Sequence, residues 1–284
     1  MKNIDNSLVA LGTAFATEAD TAAFSALTGG LVEKFNGVMG GVKDYIHSTA
    51  VHLSNAKTLM LGSPTFYSSI QKKIDRANYI ALREVDIFVP PGLDVDYLTW
   101  LEALGYNQVI ADAVVEDCLT PAVRYYALLV AMPENLDSKT VQRHIADIRL
   151  FRKEIEKAKK EVSQCYAKND NTTRRRFGAC FERLADWKTA ADSLTALNTR
   201  LAAHPPSALV KKVNELSEII DRLIIGIKAK PETYRLSGAT ASSLSELSLE
   251  IAQVVEFYAA HVYLMQTANG VFTDNIERLN KILI

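Results

Sequence analysis

Two long apolar stripes separated by a polar turn constrain this chain more than any other feature. Between Asp137 and Ala203 the first stripe carries Val141, Ile145, Ile148, Phe151, Ile155, Ala158, Val162 and Cys165. The second carries Phe177, Cys180, Leu184, Trp187, Ala191, Leu194, Asn198 and Leu201. Steps of three and four put each set on one side of a helix. Lys168 to Thr173 lies between them, rich in residues that turn a chain and cap a helix. A fold at that turn sets Ala158 against Trp187, Ile155 against Ala191 and Phe151 against Leu194. Small opposes large in the first two pairs, as dense packing requires. The expectation is a long antiparallel helical hairpin with Trp187 buried at its centre.

Two further helices come after it. Pro205-Pro206 ends the second arm, and Ser207 is the expected cap of a helix through Leu209, Val213, Leu216, Ile220, Leu223 and Ile227. Lys230-Pro231 stops it. The last stripe is expected to begin at Ser242 or Ser243. It runs through Leu244, Leu247, Ile251, Val254, Tyr258, Val262 and Met265 to Phe272, Ile276, Leu279 and Leu283, with a kink or break at Asn269-Gly270. The fold class is therefore all-α: an elongated antiparallel helical bundle over 137–284, up-down-up-down, with coiled-coil-like heptads.

The upstream chain reads differently. Residues 1–62 form a looser helical region, interrupted by Gly29, Gly30, Gly37, Gly40 and Gly41. Interior glycine weakens a helix by roughly 1 kcal/mol against alanine, so the region is expected either to pack its backbone closely in the core, the favoured reading, or to touch a membrane as an amphipathic helix. Residues 63–136 hold an extended segment and short helices. Val85 to Val89 is β-branched and aromatic and runs into Pro90-Pro91-Gly92, which marks an extended stretch or lone strand ending in a turn. Asp94 is the expected cap of the next helix, Gly105 its end or bend, and Thr120-Pro121 the start of another. Ser138 is the expected cap of the first hairpin arm.

Charge and cysteine content narrow the function classes. The formal net charge is −1 over 284 residues, which gives no global bias toward nucleic acid or an acidic membrane. Three cysteines do not make a secreted disulfide scaffold. No signal-peptide pattern and no transmembrane stretch is visible, so folding in a reducing cytoplasm is the expectation. The five histidines lack metal-ligand spacing, and no phosphate-loop, dinucleotide or nucleophile-elbow motif is present. No cofactor, no metal and no catalysis is expected. An enzyme would have to draw on carboxylates such as Asp94, Asp96, Glu116 and Asp117 near the proline turn.

Two groups stand out as candidates for contact or chemistry. The hairpin register brings Cys165 and Cys180 near each other, either as small core residues or as a redox pair, and core residues are the favoured reading. Arg174, Arg175 and Arg176, with Lys168 close by, form a basic tip. Three arginines opening a helix oppose its dipole, which points to a use. The tip suits an acidic protein partner or a phosphate, so nucleic acid stays open as its anion; with Asp170 adjacent, a solvated tip without a partner is the commoner reading of such a run.

One stretch resembles a known family. Val85-Asp86-Ile87-Phe88-Val89-Pro90-Pro91-Gly92-Leu93, followed by Tyr97, Leu98 and Leu101, is similar to a segment of virion structural proteins of large contractile-tailed bacteriophages. Leu119-Thr120-Pro121-Ala122-Val123 and Pro133-Glu134-Asn135-Leu136 are similar to the next part of those proteins. The resemblance covers residues 85–138. It implies a non-enzymatic, head-associated virion component that contacts other virion proteins or copies of itself. Internal head proteins of this kind often carry a propeptide cut after a small-x-Glu site. Ala16-Thr17-Glu18 fits that pattern, and Ser248-Leu249-Glu250 fits it too. The alternative from a different class is a cytoplasmic helical adaptor or inhibitor that binds one protein partner.

Overall fold

The structure, a computed structural model, describes residues 33, 36–37, 39–49, 72–74, 76–168, 173–234 and 236–283. Glu18, Gly29, Gly30 and the turn expected at 169–172 lie outside them. The fold is an all-α helical bundle with one small two-stranded ribbon. After α1 (Tyr79–Leu82) come β1 (Asp86–Phe88), α2 (Tyr97–Ala113), a π-helical turn (Val114–Leu119), α3 (Thr120–Ala131) and a 3-10 turn (Pro133–Asn135). Next in the chain are α4 (Ser138–Ser163), β2 (Arg174–Arg176), α5 (Phe177–Cys180), α6 (Leu184–Ala203), α7 (Pro206–Ala229), α8 (Pro231–Tyr234) and α9 (Gly238–Ile282).

The chain packs as two compact units, each drawn from three separate stretches. The first takes the described residues of Met1–Asn55, Ala113–Glu154 and Pro206–Tyr258, and the second those of Ala56–Asp112, Ile155–Pro205 and Ala259–Ile284. The units thus cut across the divisions expected at 62 and 136, and 137–284 is shared between them. The reason is helix length. The 45 residues of α9 span about 68 Å at 1.5 Å per residue, more than twice the roughly 30 Å of a small domain.

In the first unit α7 packs on α3 and on the π turn. Helical residues 39–49 bury Met39, Val42 and Ile46. Lys43 Nζ pairs with Asp221 Oδ1 at 2.7 Å, and the Tyr126 hydroxyl meets Ser248 Oγ at 2.6 Å. Glu250, nearly buried, receives Arg152 Nη1 at 2.7 Å and Arg149 Nε at 3.4 Å, while Arg149 also pairs with Glu246. The close-packing reason expected for the glycines is not what the described atoms show. A Cβ on Gly37, Gly40 or Gly41 would meet nothing within 4 Å. Gly226 is the real close approach of this unit, because a Cβ there would collide with the Tyr234 ring.

The second unit is built on aromatic rings. Trp187 is fully buried and stacks on Phe272, with centroids 4.6 Å apart and planes 13° apart. Phe177 and Phe181 approach it from 5.8 and 5.3 Å, and Tyr97 and Trp100 extend the cluster. On α4 the expected stripe is buried at Val141, Ile145, Ile148, Ile155, Ala158 and Val162, with Phe151 half-buried, whereas on α6 the buried line runs Trp187, Ala190, Leu194 and Leu197, and the expected Leu184, Ala191, Asn198 and Leu201 are only half-buried. Asn198 and Asn269 exchange two amide hydrogen bonds of 2.8 Å.

Several local expectations are corrected. The second hairpin arm is not one helix, since β2, α5 and an extended break precede α6. Gly105 lies inside α2, and the chain stays helical from Tyr97 to Ala131. Thr120 is helical rather than a cap, and its N–H bonds Val115 O, the i→i−5 pattern of a π turn. That widened turn carries Pro121, which has no N–H to donate and whose ring crowds the carbonyl four residues back. Asn269-Gly270 leaves α9 unbroken, and α9 starts at Gly238 with Ser237 Oγ accepting from Thr240 N–H. Ser207 sits within α7, which begins at Pro206. Asp96 and Asp137, not Asp94 and Ser138, cap α2 and α4. Each accepts from the backbone N–H and the hydroxyl of the threonine three residues on, Thr99 and Thr140.

Because Trp187 is the hub of the ring cluster, Trp187→Ala is expected to cost roughly 3–5 kcal/mol. Urea unfolding measures it, and a loss under about 1 kcal/mol would mean that the stacked core is not formed.

Candidate functional site

The arginine run is a strand, not the start of a helix. Charge at a helix terminus gives the reason. Three cations in a first turn face the positive end of the dipole. Here the chain stays extended through Arg174–Arg176 and α5 begins only at Phe177. The long helix α6 then starts with a cap of the right sign, where Asp186 accepts from Arg183 N–H at 2.9 Å.

The run pairs antiparallel with β1, which is therefore not a lone strand. Asp86 lies opposite Arg176, Ile87 opposite Arg175 and Phe88 opposite Arg174. Bonds from Val89 N–H to Thr173 O (3.0 Å) and from Phe177 N–H to Val85 O (2.7 Å) flank the ribbon. Gly92, at φ 74°, turns the chain after Pro90-Pro91. The next residues pair with the other side of the hairpin end, Ala167 N–H to Gly92 O at 2.7 Å and Asp94 N–H to Cys165 O at 2.8 Å. Segment 85–94 thus holds the chain on both sides of residues 169–172. At the end of β2, Gly178 N–H bonds Arg83 O. A Cβ on Gly178 would lie 3.0 Å from Arg83 Cβ and 3.1 Å from Arg83 O, so any side chain there would press the crossing apart by a few tenths of an ångström.

At Phe88 the free edge of β1 is closed by one side chain. Asn275 of α9 accepts from Phe88 N–H at 2.6 Å and donates to Phe88 O at 2.8 Å. Its amide takes the place of a neighbouring strand, and it is 1% exposed.

The alternation of a strand separates the three arginines. Arg174 and Arg176 stand on one face and are exposed. Arg174 lies over the Phe88 ring at 4.8 Å, and Arg278 reaches the same ring at 6.0 Å. Arg176 Nη1 pairs with Glu84 Oε2 at 2.7 Å, and Arg83 shares that carboxylate. Arg175 is half-buried and donates to Leu93 O. Lys168 is exposed just before the turn. The basic tip is thus two outward guanidinium groups and one structural arginine, all fixed on a ribbon. It can offer charged donors to an anion in a set orientation.

The other groups singled out have structural surroundings. Cys118, Cys165 and Cys180 are free and buried. Burial pushes the Cys118 thiol up to about 12 and the Cys180 thiol up to about 11, the nearby Arg175 offsetting part of the latter. Such thiols form little thiolate, the reactive species, so both behave as core residues. Asp96 is a cap, Asp94 is exposed, and Glu116 and Asp117 are exposed in the π turn. Among the described residues no group of three His, Cys, Asp or Glu could hold a metal ion, and no helix is long and apolar enough to cross a membrane. A buried polar chain went unread in the sequence. His261 Nε2 meets Gln108 Oε1 at 2.8 Å, Gln108 donates to Asp112 at 2.5 Å, and Arg200 pairs with Asp112 at 3.2 Å. Burial lowers His261 to about 4, so it is neutral at pH 7. No family model, curated protein or solved structure matches the chain.

The split among the arginines has a measurable consequence. Arg175→Gln is expected to destabilise by about 1–3 kcal/mol, because it strips a charged donor from Leu93 O. Arg176→Gln, which loosens an exposed pair, is expected to cost under about 1 kcal/mol. Urea midpoints compare them, and equal losses would contradict the assigned faces.

Proposed function

We propose that this is a non-enzymatic structural or interaction protein whose setting is the head of a contractile-tailed bacteriophage particle. The observation that carries the interaction reading is the basic ribbon. Arg174 and Arg176 are held outward on a strand that is hydrogen-bonded to β1, and β1 in turn to Asn275. Solvated side chains on a flexible tip lose rotamer entropy when they bind. Arginines already ordered on a ribbon lose less, which favours a role in recognition. The virion setting is supported by the resemblance over residues 85–138. Its Val85–Leu93 part forms β1 and the turn that positions the arginines. Helices of 26, 24 and 45 residues supply a stiff frame suited to assembly rather than turnover.

Mass spectrometry of phage particles purified from the source of the sequence tests this reading. Peptides of this chain at a fixed ratio to the other virion proteins are expected. Absence from the particles would remove the virion setting. The same spectra read the amino terminus: a chain starting at Ala19 fits removal of a propeptide after Glu18, and one starting at Met1 or Lys2 excludes it.

A further inference from the structure

The two outer edges of the ribbon are finished differently. The outer edge of β1 is closed at Phe88 by the Asn275 amide. The outer edge of β2 has no such cover among the described residues. In a register with Ile87 opposite Arg175, and with Val89 and Phe177 N–H bonded across the ribbon, the residues that alternate with these turn their backbone groups away. On β2 these are the N–H and C=O of Arg174 and the N–H of Arg176. No described residue bonds them. An open strand edge with its donors and acceptor in line is a template for one more strand.

The side chains on that edge state what the strand should carry. Arg174 and Arg176 lie on one face, two residues apart and both exposed. Arg278 stands beside the same Phe88 ring as Arg174 and has a buried Nε–H without a hydrogen-bond partner. Glu84 is shared by Arg176 and Arg83, and Asp86 lies opposite Arg176, so two carboxylates meet the three guanidinium groups of Arg83, Arg174 and Arg176 and positive charge stays in excess there. Cross-strand neighbours meet in pairs, and opposite charges stabilise such pairs. Two fixed cations at a spacing of two residues match two carboxylates at the same spacing.

We propose that the outer edge of β2 binds an extended protein segment with acidic residues at alternate positions, which adds to the ribbon as a third strand. This rests on reading Arg174–Arg176 as a contact surface. Because the edge is three residues long, the complex is weak, sensitive to salt and suited to a segment tethered by other contacts.

The probe is a fluorescein-labelled seven-residue peptide alternating glutamate and valine, titrated against the full chain by anisotropy. Saturable binding is expected, weakened at least tenfold when Arg174→Gln and Arg176→Gln are combined. Circular dichroism melting confirms that this variant is folded. A second arm needs no variant: the same peptide N-methylated on its inner amides keeps every charge but cannot pair as a strand, and it is expected to bind at least tenfold more weakly. No saturable binding overturns the proposal. So does equal binding of the methylated peptide, or of a single-stranded oligonucleotide of the same charge, since either result means charge attraction without strand pairing. Such failure leaves the presence of the chain in particles untouched, so the two readings fail separately.

Discussion

The two hydrogen bonds between Asn275 and the backbone of Phe88 are the interaction on which the rest of the site depends. A two-stranded ribbon is marginal alone in water. Here β1 is held on one side by β2 and on the other by a buried amide from a long helix. Asparagine suits this task because its side chain carries the same donor and acceptor as a peptide unit. Removing it would leave the N–H and C=O of Phe88 unmet beside a buried site, and such groups are expensive to strand. Phe88 then supports Arg174 through its ring, and Ile87 anchors the opposite face in the core.

The ribbon stands on an aromatic core that shares its elements. Phe177 follows β2 directly and reaches Trp187, while Phe272 lies one turn from Asn275 on α9 and stacks on the same indole. The helix that seals the ribbon therefore also closes the core. Strand order, arginine orientation and ring packing are coupled within this unit. In the other unit the coupling is ionic, with Glu250 of α9 gripping Arg149 and Arg152 of α4. Glu250 is nearly buried while Arg149 is half exposed, so these pairs reach from the helix interface to its rim.

The all-α class and the buried stripes of α4, α7 and α9 were legible in the sequence because helical periodicity is a local signal, while on α6 only Trp187 and Leu194 of the expected stripe are buried. The ribbon was only half legible. Val85 to Val89 shows strand character by composition, but its partner lies some ninety residues away, and three arginines carry no strand signal of their own. Asn275 sits among Phe272, Ile276 and Leu279, where one polar residue on a buried stripe was the available sign. The caps were missed for a nearer reason. Asp96 and Asp137 each stand three residues before a threonine that fills both carboxylate oxygens, and this repeated Asp-x-x-Thr pattern was present in the sequence. Pro121 pointed to a new helix, and a single π turn absorbed it instead.

Amide hydrogen exchange at Phe88 tests the account most directly. In the native chain the Phe88 amide should be strongly protected, because its proton is held by Asn275 and not by another strand. In Asn275→Ala the same amide should exchange at least tenfold faster, while amides of α6 around Ala190 keep their protection. A Phe88 amide that exchanges freely in the native chain, or one unchanged by the substitution, would contradict the claim that this single side chain holds the ribbon and its arginines in place.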